Sequence, residues 1–208
     1  MKSFTQFLLG LTMMGLAASS VAEITPPDVL VKHTAEEVLE IVKKDKDIQA
    51  GDQKKIFALA EEKILPHFDF ERISQLVLGR YWTRASKDQK EAFEREFCSL
   101  MLRTYATALS KYRNQIIEYK PLRMQPGDSK AVVKTQILQP GGQPIGIDYT
   151  LEKMAEGWKV TDLVIEDVSL VTNYRSQFSN EVRQSGLDGL IQKLAEKNKG
   201  AGTDRKQG

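Results

Sequence analysis

The 208-residue sequence predicts an α+β domain: several helices over one face of a curved four-stranded antiparallel sheet. Two observations predict it. Apolar residues recur at helical spacing up to about residue 110 and again after Asp167, while between these stretches the period drops to two. Turn sequences punctuate the period-two region at Pro126-Gly127-Asp128, Pro140-Gly141-Gly142 and Glu156-Gly157, so consecutive strands connect as a meander. A sheet with one polar face needs cover on the other.

The chain opens with an export signal. Met1-Lys2 forms a short positive start, Phe7 to Ala18 an apolar run, and Ser20-Val21-Ala22 a small-residue cleavage site. The run is too short to span a bilayer, which takes roughly 20 residues. Residues 1–22 are therefore read as a leader cut after Ala22. No cysteine lies near the cut to carry a lipid anchor. A single domain over 23–199 and a small, polar, disordered tail over 200–208 are expected to follow.

Pro26-Pro27 opens a first helix with Val31, Ala35, Val38 and Val42 on one face, ending in the charged run Lys43 to Asp47. Asp52 caps a second, which Pro66 stops. A third starts near Asp69, groups Ile73, Leu76 and Val77, and ends at Gly79. Ser86-Lys87-Asp88-Gln89 is a capping box. The helix it starts aligns Phe93, Phe97, Leu100, Met101, Thr104 and Ala108; carried to Ser110 it is ~37 Å long.

Alternation begins at Ile117 and Tyr119, then Val133, Thr135 and Ile137. It resumes at Ile145, Ile147, Tyr149 and Leu151, and at Trp158, Val160 and Val164. The opposite face carries Lys134, Gln136, Asp148, Thr150, Glu152 and Lys159. After Asp167, Val171, Tyr174, Phe178 and Val182 align on a helix, and Leu187, Leu190, Ile191 and Leu194 on a last short one.

Composition narrows the function. The formal charge is +2, and Lys2 of the leader supplies one unit of it, so the mature chain is nearly neutral. Nucleic-acid binding needs a concentrated positive field and is not expected. Cys98 is the lone cysteine, so the domain folds without an internal disulfide. His33 and His67 lack metal-ligand spacing to any His or Cys, so no metal and no cofactor is expected. A Cys98–His67 nucleophile pair is open on sequence, but beside Phe97 a buried, inert thiol is the better reading. Asp162 alternates in phase with Trp158, Val160 and Val164, which aims a carboxylate at the apolar side. It is either a general base in a pocket or a structural acceptor bonded to a Tyr or Arg. Periodicity leaves open whether sheet and helices meet in a solid core or around a cavity.

Two stretches resemble a known family. They are Phe68-Asp69-Phe70-Glu71-Arg72 through Leu78-Gly79-Arg80-Tyr81-Trp82 to Tyr105-Ala106-Thr107-Ala108-Leu109, and Trp158-Lys159-Val160-Thr161-Asp162 through Asp167-Val168-Ser169-Leu170 to Thr172-Asn173-Tyr174-Arg175-Ser176-Gln177-Phe178. Both are similar to the MlaC, or toluene-tolerance auxiliary, family, and the order of elements fits over 24–198. One departure is Asp167-Val168-Ser169, where many relatives are expected to have a glycine before the serine.

The resemblance implies a non-enzymatic periplasmic phospholipid shuttle, expected to be a monomer. Its cargo is glycerophospholipid. Its partners are an inner-membrane ABC transporter, met through an MCE-domain subunit, and an outer-membrane lipoprotein–porin complex. The role is maintenance of outer-membrane lipid asymmetry. The implied fold is a cone-like sheet related to nuclear transport factor 2, enclosing a hydrophobic pocket. Strand residues expected to line it are Ile117, Tyr119, Val133, Ile137, Ile147, Tyr149, Leu151, Val160 and Val164. The helices are expected to add Phe70, Val77, Tyr81, Trp82, Phe97, Met101, Tyr105, Tyr174 and Phe178. Arg80 and Arg103 are candidates for the head group. The rivals are a cone-fold enzyme acting on a hydrophobic substrate, using Asp162 or a Tyr, and an adaptor or chaperone whose apolar groove takes a peptide.

Overall fold

A computed structural model describes residues 24–113, 115–139 and 141–200. The expected leader and its cut after Ala22 lie outside the described residues; of the tail expected over 200–208, Gly200 instead ends the last helix and the rest lies outside them. Six helices, α1 (Pro27–Lys44), α2 (Lys46–Gln49), α3 (Gln53–Lys63), α4 (Phe70–Leu78), α5 (Lys87–Tyr105) and α6 (Leu170–Gly200), flank five strands. The strands are β1 (Ile116–Tyr119), β2 (Lys130–Leu138), β3 (Ile145–Met154), β4 (Gly157–Ile165) and β5 (Val168–Ser169), all antiparallel in the order β1-β2-β3-β4-β5.

The helix starts follow the capping residues. Asp52 accepts from Lys55 N–H and Asp69 from Arg72 N–H. Ser86 and Gln89 form the reciprocal box at the start of α5. Gly79 closes α4 at φ +54, the left-handed region that favours glycine. Gly186, at φ +72 and ψ 175, breaks α6 into the two segments expected from the pattern. The small α2 was not expected. Asp45 begins it by accepting from the N–H groups of Asp47 and Ile48, and Ile48 fills the core beneath.

The face expected along α5 holds through Leu100 and then turns. From Ala106 to Lys111 the chain is a 3-10 helix, whose three-residue period rotates the buried side. Ala106 is buried and Leu109 half-buried, while Thr104 and Ala108 are exposed.

Two corrections concern the sheet. It has five strands, because Val168–Ser169 pairs with Ile165 and Val164 across a two-residue turn. Both turn residues, Glu166 at φ +48 and Asp167 at φ +62, have the φ signature of a type I′ hairpin. Two residues are too few for a periodic signal. Second, β4 contains a bulge. Leu151 pairs with Val160 but Thr150 pairs with Asp162, leaving Thr161 as the extra residue. Beyond it the phase inverts: Leu163 and Ile165 join the apolar face opposite Tyr149 and Ile147, and Asp162 and Val164 turn to the polar one.

Buried residues gather in three separate clusters. The largest joins α4, α5 and α6 around Phe93, Phe97, Tyr174 and Phe178, with Leu163 and Ile165 packed against it. Its rings meet at 5.1–5.7 Å between centroids, several edge to face; each such pair contributes about 0.5–1.5 kcal/mol beyond its buried area. A second cluster joins α1, α2 and α3 with Ala106. The third sets Val31 of α1 on Ala131, Val133, Leu151, Trp158 and Val160 of the sheet. On the polar face Lys134 pairs with Asp148 at 2.9 Å and Lys130 with Glu152 at 3.1 Å.

Candidate functional site

The inner face of the sheet is covered unevenly. Where α1 crosses it, Val133 and Leu151 are 1 % and 0 % exposed. Toward the other end, Ile117, Ile137, Ile145 and Ile147 share the same face by register but are only half-buried, and they belong to none of the three cores. The helices approach the sheet chiefly at β2, through α1, and at β4, through α4 and α6.

Tyr149 marks the boundary. Protein surrounds it, and that burial raises its phenol above the usual range while a bond with Thr135 partly opposes the shift. Its side chain nevertheless keeps accessible area. It is one of the partly buried residues that pack against the core beneath α1. Tyr119, on the same face, is pushed up to about 12 by burial first and then by Tyr149 and Glu36. Thr135 between them donates to the Ile147 carbonyl at 2.8 Å, so its hydroxyl is satisfied within the sheet.

Of the strand residues expected at a cavity, Ile117, Tyr119, Val133, Ile137, Ile147, Tyr149, Leu151 and Val160 share the inner face. Val164 does not, because of the bulge. Leu163 and Ile165 take that face instead, and strict alternation could not have found them. Among the helical residues, Val77, Trp82, Phe97, Tyr174 and Phe178 are packed against one another in the largest core, with Tyr81, Met101 and Tyr105 at its border. Phe70 stacks on Phe68 at 6.0 Å.

The two arginines expected near a head group stand apart. Arg80 lies on a depression of about 250 Å³ with Tyr81, Arg175 and Arg183. Arg103 lies on another of about 320 Å³ with Phe57, Leu65 and Cys98, its guanidinium 5.6 Å from the Phe57 ring centre. The sets share no residue, so one head group cannot be held by both.

The chemistry weighed for catalysis is committed elsewhere. Asp162 Oδ2 accepts from the Ser169 hydroxyl at 2.6 Å and Oδ1 from Val171 N–H at 3.0 Å, while Ser169 Oγ accepts from Thr172 N–H. The carboxylate therefore ties β4 to the start of α6, with a serine and a backbone amide in place of the expected Tyr or Arg. Burial, then Glu94 and Glu61, pushes the Cys98 thiol up to about 11, which suppresses the thiolate. Among the described residues, no three His, Cys, Asp or Glu side chains are grouped to hold a metal ion, and no helix is long and apolar enough to cross a membrane.

Fold and site together define an α+β domain with an open five-stranded sheet whose apolar inner face is only partly closed by helices. The sequence profile of MlaC protein matches residues 32–196. The chain is 27% identical over 197 residues to the "Intermembrane phospholipid transport system binding protein MlaC" of Haemophilus influenzae, covering 93% of this chain and 91% of the relative. It is 26% identical over 170 residues to "Toluene tolerance protein ttg2D" of Pseudomonas putida, covering 81% and 78%. The crystal structure of a phospholipid-binding protein from Ralstonia solanacearum, in complex with a phospholipid, superposes with a TM-score of 0.81 at 36% identity, covering 86% of this chain and 100% of that one. The chain belongs to the MlaC family.

Proposed function

We propose that this protein is a periplasmic phospholipid carrier that holds the acyl tails of a glycerophospholipid between its sheet and its helices. The observation that carries the reading is the half-covered inner face around Ile137, Ile147 and Tyr149, in a fold shared at 36% identity with a protein crystallised with a phospholipid. Two acyl chains hold on the order of 30 methylenes, and at about 0.8 kcal/mol each their exposure to water costs roughly 24 kcal/mol. A carrier must therefore enclose both tails, and apolar residues that leave space are what enclosure takes.

The lining centres on Ile117, Tyr119, Ile137, Ile147 and Tyr149, which share the inner face, and Met101 and Tyr105, at the border of the aromatic core, complete it from α5. Phe97, Tyr174 and Phe178 form the frame behind them. No step of the reading breaks or makes a bond, so the protein is not an enzyme and takes no cofactor. The leader delivers it to the periplasm and is cut after Ala22. The cargo passes between an inner-membrane ABC transporter carrying an MCE-domain subunit and an outer-membrane lipoprotein–porin complex. That exchange maintains lipid asymmetry of the outer membrane.

Native mass spectrometry of the mature chain from a bacterial host tests the reading. A diacyl phospholipid adduct at one per protein is expected. A homogeneous lipid-free mass, from a protein that also extracts no lipid from phosphatidylethanolamine–phosphatidylglycerol vesicles, overturns it.

A further inference from the structure

Part of the charged surface is self-compensated. Lys55 meets Asp45 and Asp47 at 2.9 and 2.7 Å, Lys63 meets Glu37 at 2.8 Å, and Lys193 meets Glu181 at 2.7 Å. The first half of α6 is built differently. From Leu170 to Asn180 it carries no acidic residue, and its exposed side is Asn, Gln, Ser, Thr and arginine. Arg175, Ser179 and Arg183 follow one another at four-residue spacing, so they form a single stripe. Arg80 faces that stripe from the turn after α4, and the four residues line one concave depression with Tyr81 and Gly79. Among the described residues, no carboxylate stands within salt-bridge range of Arg80, Arg175 or Arg183.

The arginines are positioned as well as uncompensated. A Cβ on Gly79 would lie 3.1 Å from Arg175 Nη2, so the guanidinium rests against bare backbone at the carbonyl end of α4, where the helix dipole favours a cation. Arg80 lies over the Tyr81 ring at 5.2 Å and reaches its hydroxyl at 3.3 Å. Arg183 donates to Asn180 on its own helix. Each arginine is thus oriented by a neutral group that leaves its charge unneutralised.

We propose that this cleft is a protein-docking surface that receives an acidic side chain projecting from a short Asp/Glu-bearing segment of another polypeptide. Arginine is enriched in protein interfaces while lysine and glutamate are depleted, and its planar fork matches a carboxylate. A membrane fits less well: the surface is concave, and three charges on an anionic bilayer give only weak attachment. The cleft includes Arg80 and Tyr81, which the sequence placed near lipid, but Arg175 and Arg183 are not among the residues proposed to meet it, so variants at these two measure docking separately from cargo binding.

The test places the photocrosslinker p-benzoylphenylalanine at Ser179 of the full-length chain in the bacterium that makes it, and maps adducts by mass spectrometry. The expected product is a crosslink to a different polypeptide within a segment containing Asp or Glu. A synthetic peptide of that segment binds the purified protein, and the double variant R175E/R183E weakens binding by at least about tenfold, since facing like charges repel. Replacing the peptide's acids with lysine restores binding to the double variant. Melting temperature and co-purified lipid of R175E/R183E stay at parent values, which separates a docking defect from a failure of the carrier reading. The proposal is overturned by no adduct, by adducts to phospholipid or to a second copy of this chain, by a mapped segment without acids, or by binding indifferent to the double reversal.

Discussion

Asp167 sits at φ +62 beside Glu166 at φ +48, two side-chain-bearing residues in the left-handed region within one turn. For an L-residue other than glycine that conformation costs roughly 1–2 kcal/mol, less where a short polar side chain helps, as in Asp. The turn survives because β5 then delivers Ser169 to Asp162 and both to the first amides of α6. Asp167→Gly should therefore stabilise the protein by about 0.5–1 kcal/mol, read as a higher urea midpoint at unchanged m-value. An unchanged or lower midpoint means that the turn carries no such strain. The same few residues show what a sequence can reveal about a site. Asp162 stands out as a carboxylate beside apolar residues, but its partners are a serine seven positions on and a backbone amide, and only the folded hairpin brings them within reach.

Among the elements, β4 carries the largest departure from simple alternation. Thr161 is 1 % exposed and donates to the Thr150 carbonyl at 3.4 Å, so the extra residue is held within the sheet. Deleting Thr161 would remove the extra residue and leave a regular ladder in which Val160, Leu163 and Ile165 face the apolar side and Asp162 and Val164 the polar one, the faces they take now. A cooperative urea transition is therefore expected to survive the deletion, and Thr161→Val should cost only about 1 kcal/mol. A deletion variant without a urea transition contradicts the bulge, because only in a strictly alternating strand would the loss of one residue turn Leu163 and Ile165 out of the apolar face. The faces of β2 and β3 were legible because each holds its period throughout; β4 was half legible because one inserted residue leaves composition unchanged and inverts the phase. The helix starts were legible for a local reason: Asp52, Asp69 and Ser86 each satisfy amides within three residues. Contacts between distant elements were not. Arg72 of α4 donates to Glu152 of β3 at 3.0 Å, and Lys130 joins at 3.1 Å. Burial pushes the Glu152 carboxyl up, but bonds from Arg72 and Lys130 outweigh it and leave it below the ordinary value. A depressed carboxyl contributes stability above its unfolded pKa, about 4.3, and loses it as pH falls through the lower folded value. Glu152→Gln should thus cost about 1–2 kcal/mol at pH 7, and the gap from the parent should close progressively below about pH 4. A pH-independent gap in urea unfolding at pH 7 and 3.5 assigns the loss to packing instead of charge.

For the whole molecule the undecided question on sequence was whether sheet and helices meet in a solid core or around a space, since apolar faces are needed either way. The apolar residues of the structure differ in how completely they are packed. Phe97, at 0 % exposure, meets Phe93, Tyr174 and Phe178 within 5.5 Å of ring centres, which is solid packing. Ile147, on the inner face opposite Ile165, belongs to no core and keeps accessible area. The two environments respond oppositely to a change in volume. Phe97→Ala removes packed atoms and leaves a void, costing about 3–5 kcal/mol, while the lipid bound per folded protein stays near the parent value. Ile147→Trp adds volume. In a solid core that forces strain of about 1–3 kcal/mol, but in a hollow the indole occupies space that the cargo would use. The delipidated Ile147→Trp protein should then unfold within about 1 kcal/mol of the delipidated parent, and the phospholipid retained after purification should fall severalfold. Because a ligand that binds only the folded state raises stability by RT ln(1 + [L]/Kd), added phospholipid should also raise the melting temperature of the parent and of Phe97→Ala more than that of Ile147→Trp. If Ile147→Trp destabilises the lipid-free protein as strongly as Phe97→Ala and leaves lipid retention intact, the hollow lies elsewhere and Ile147 is core.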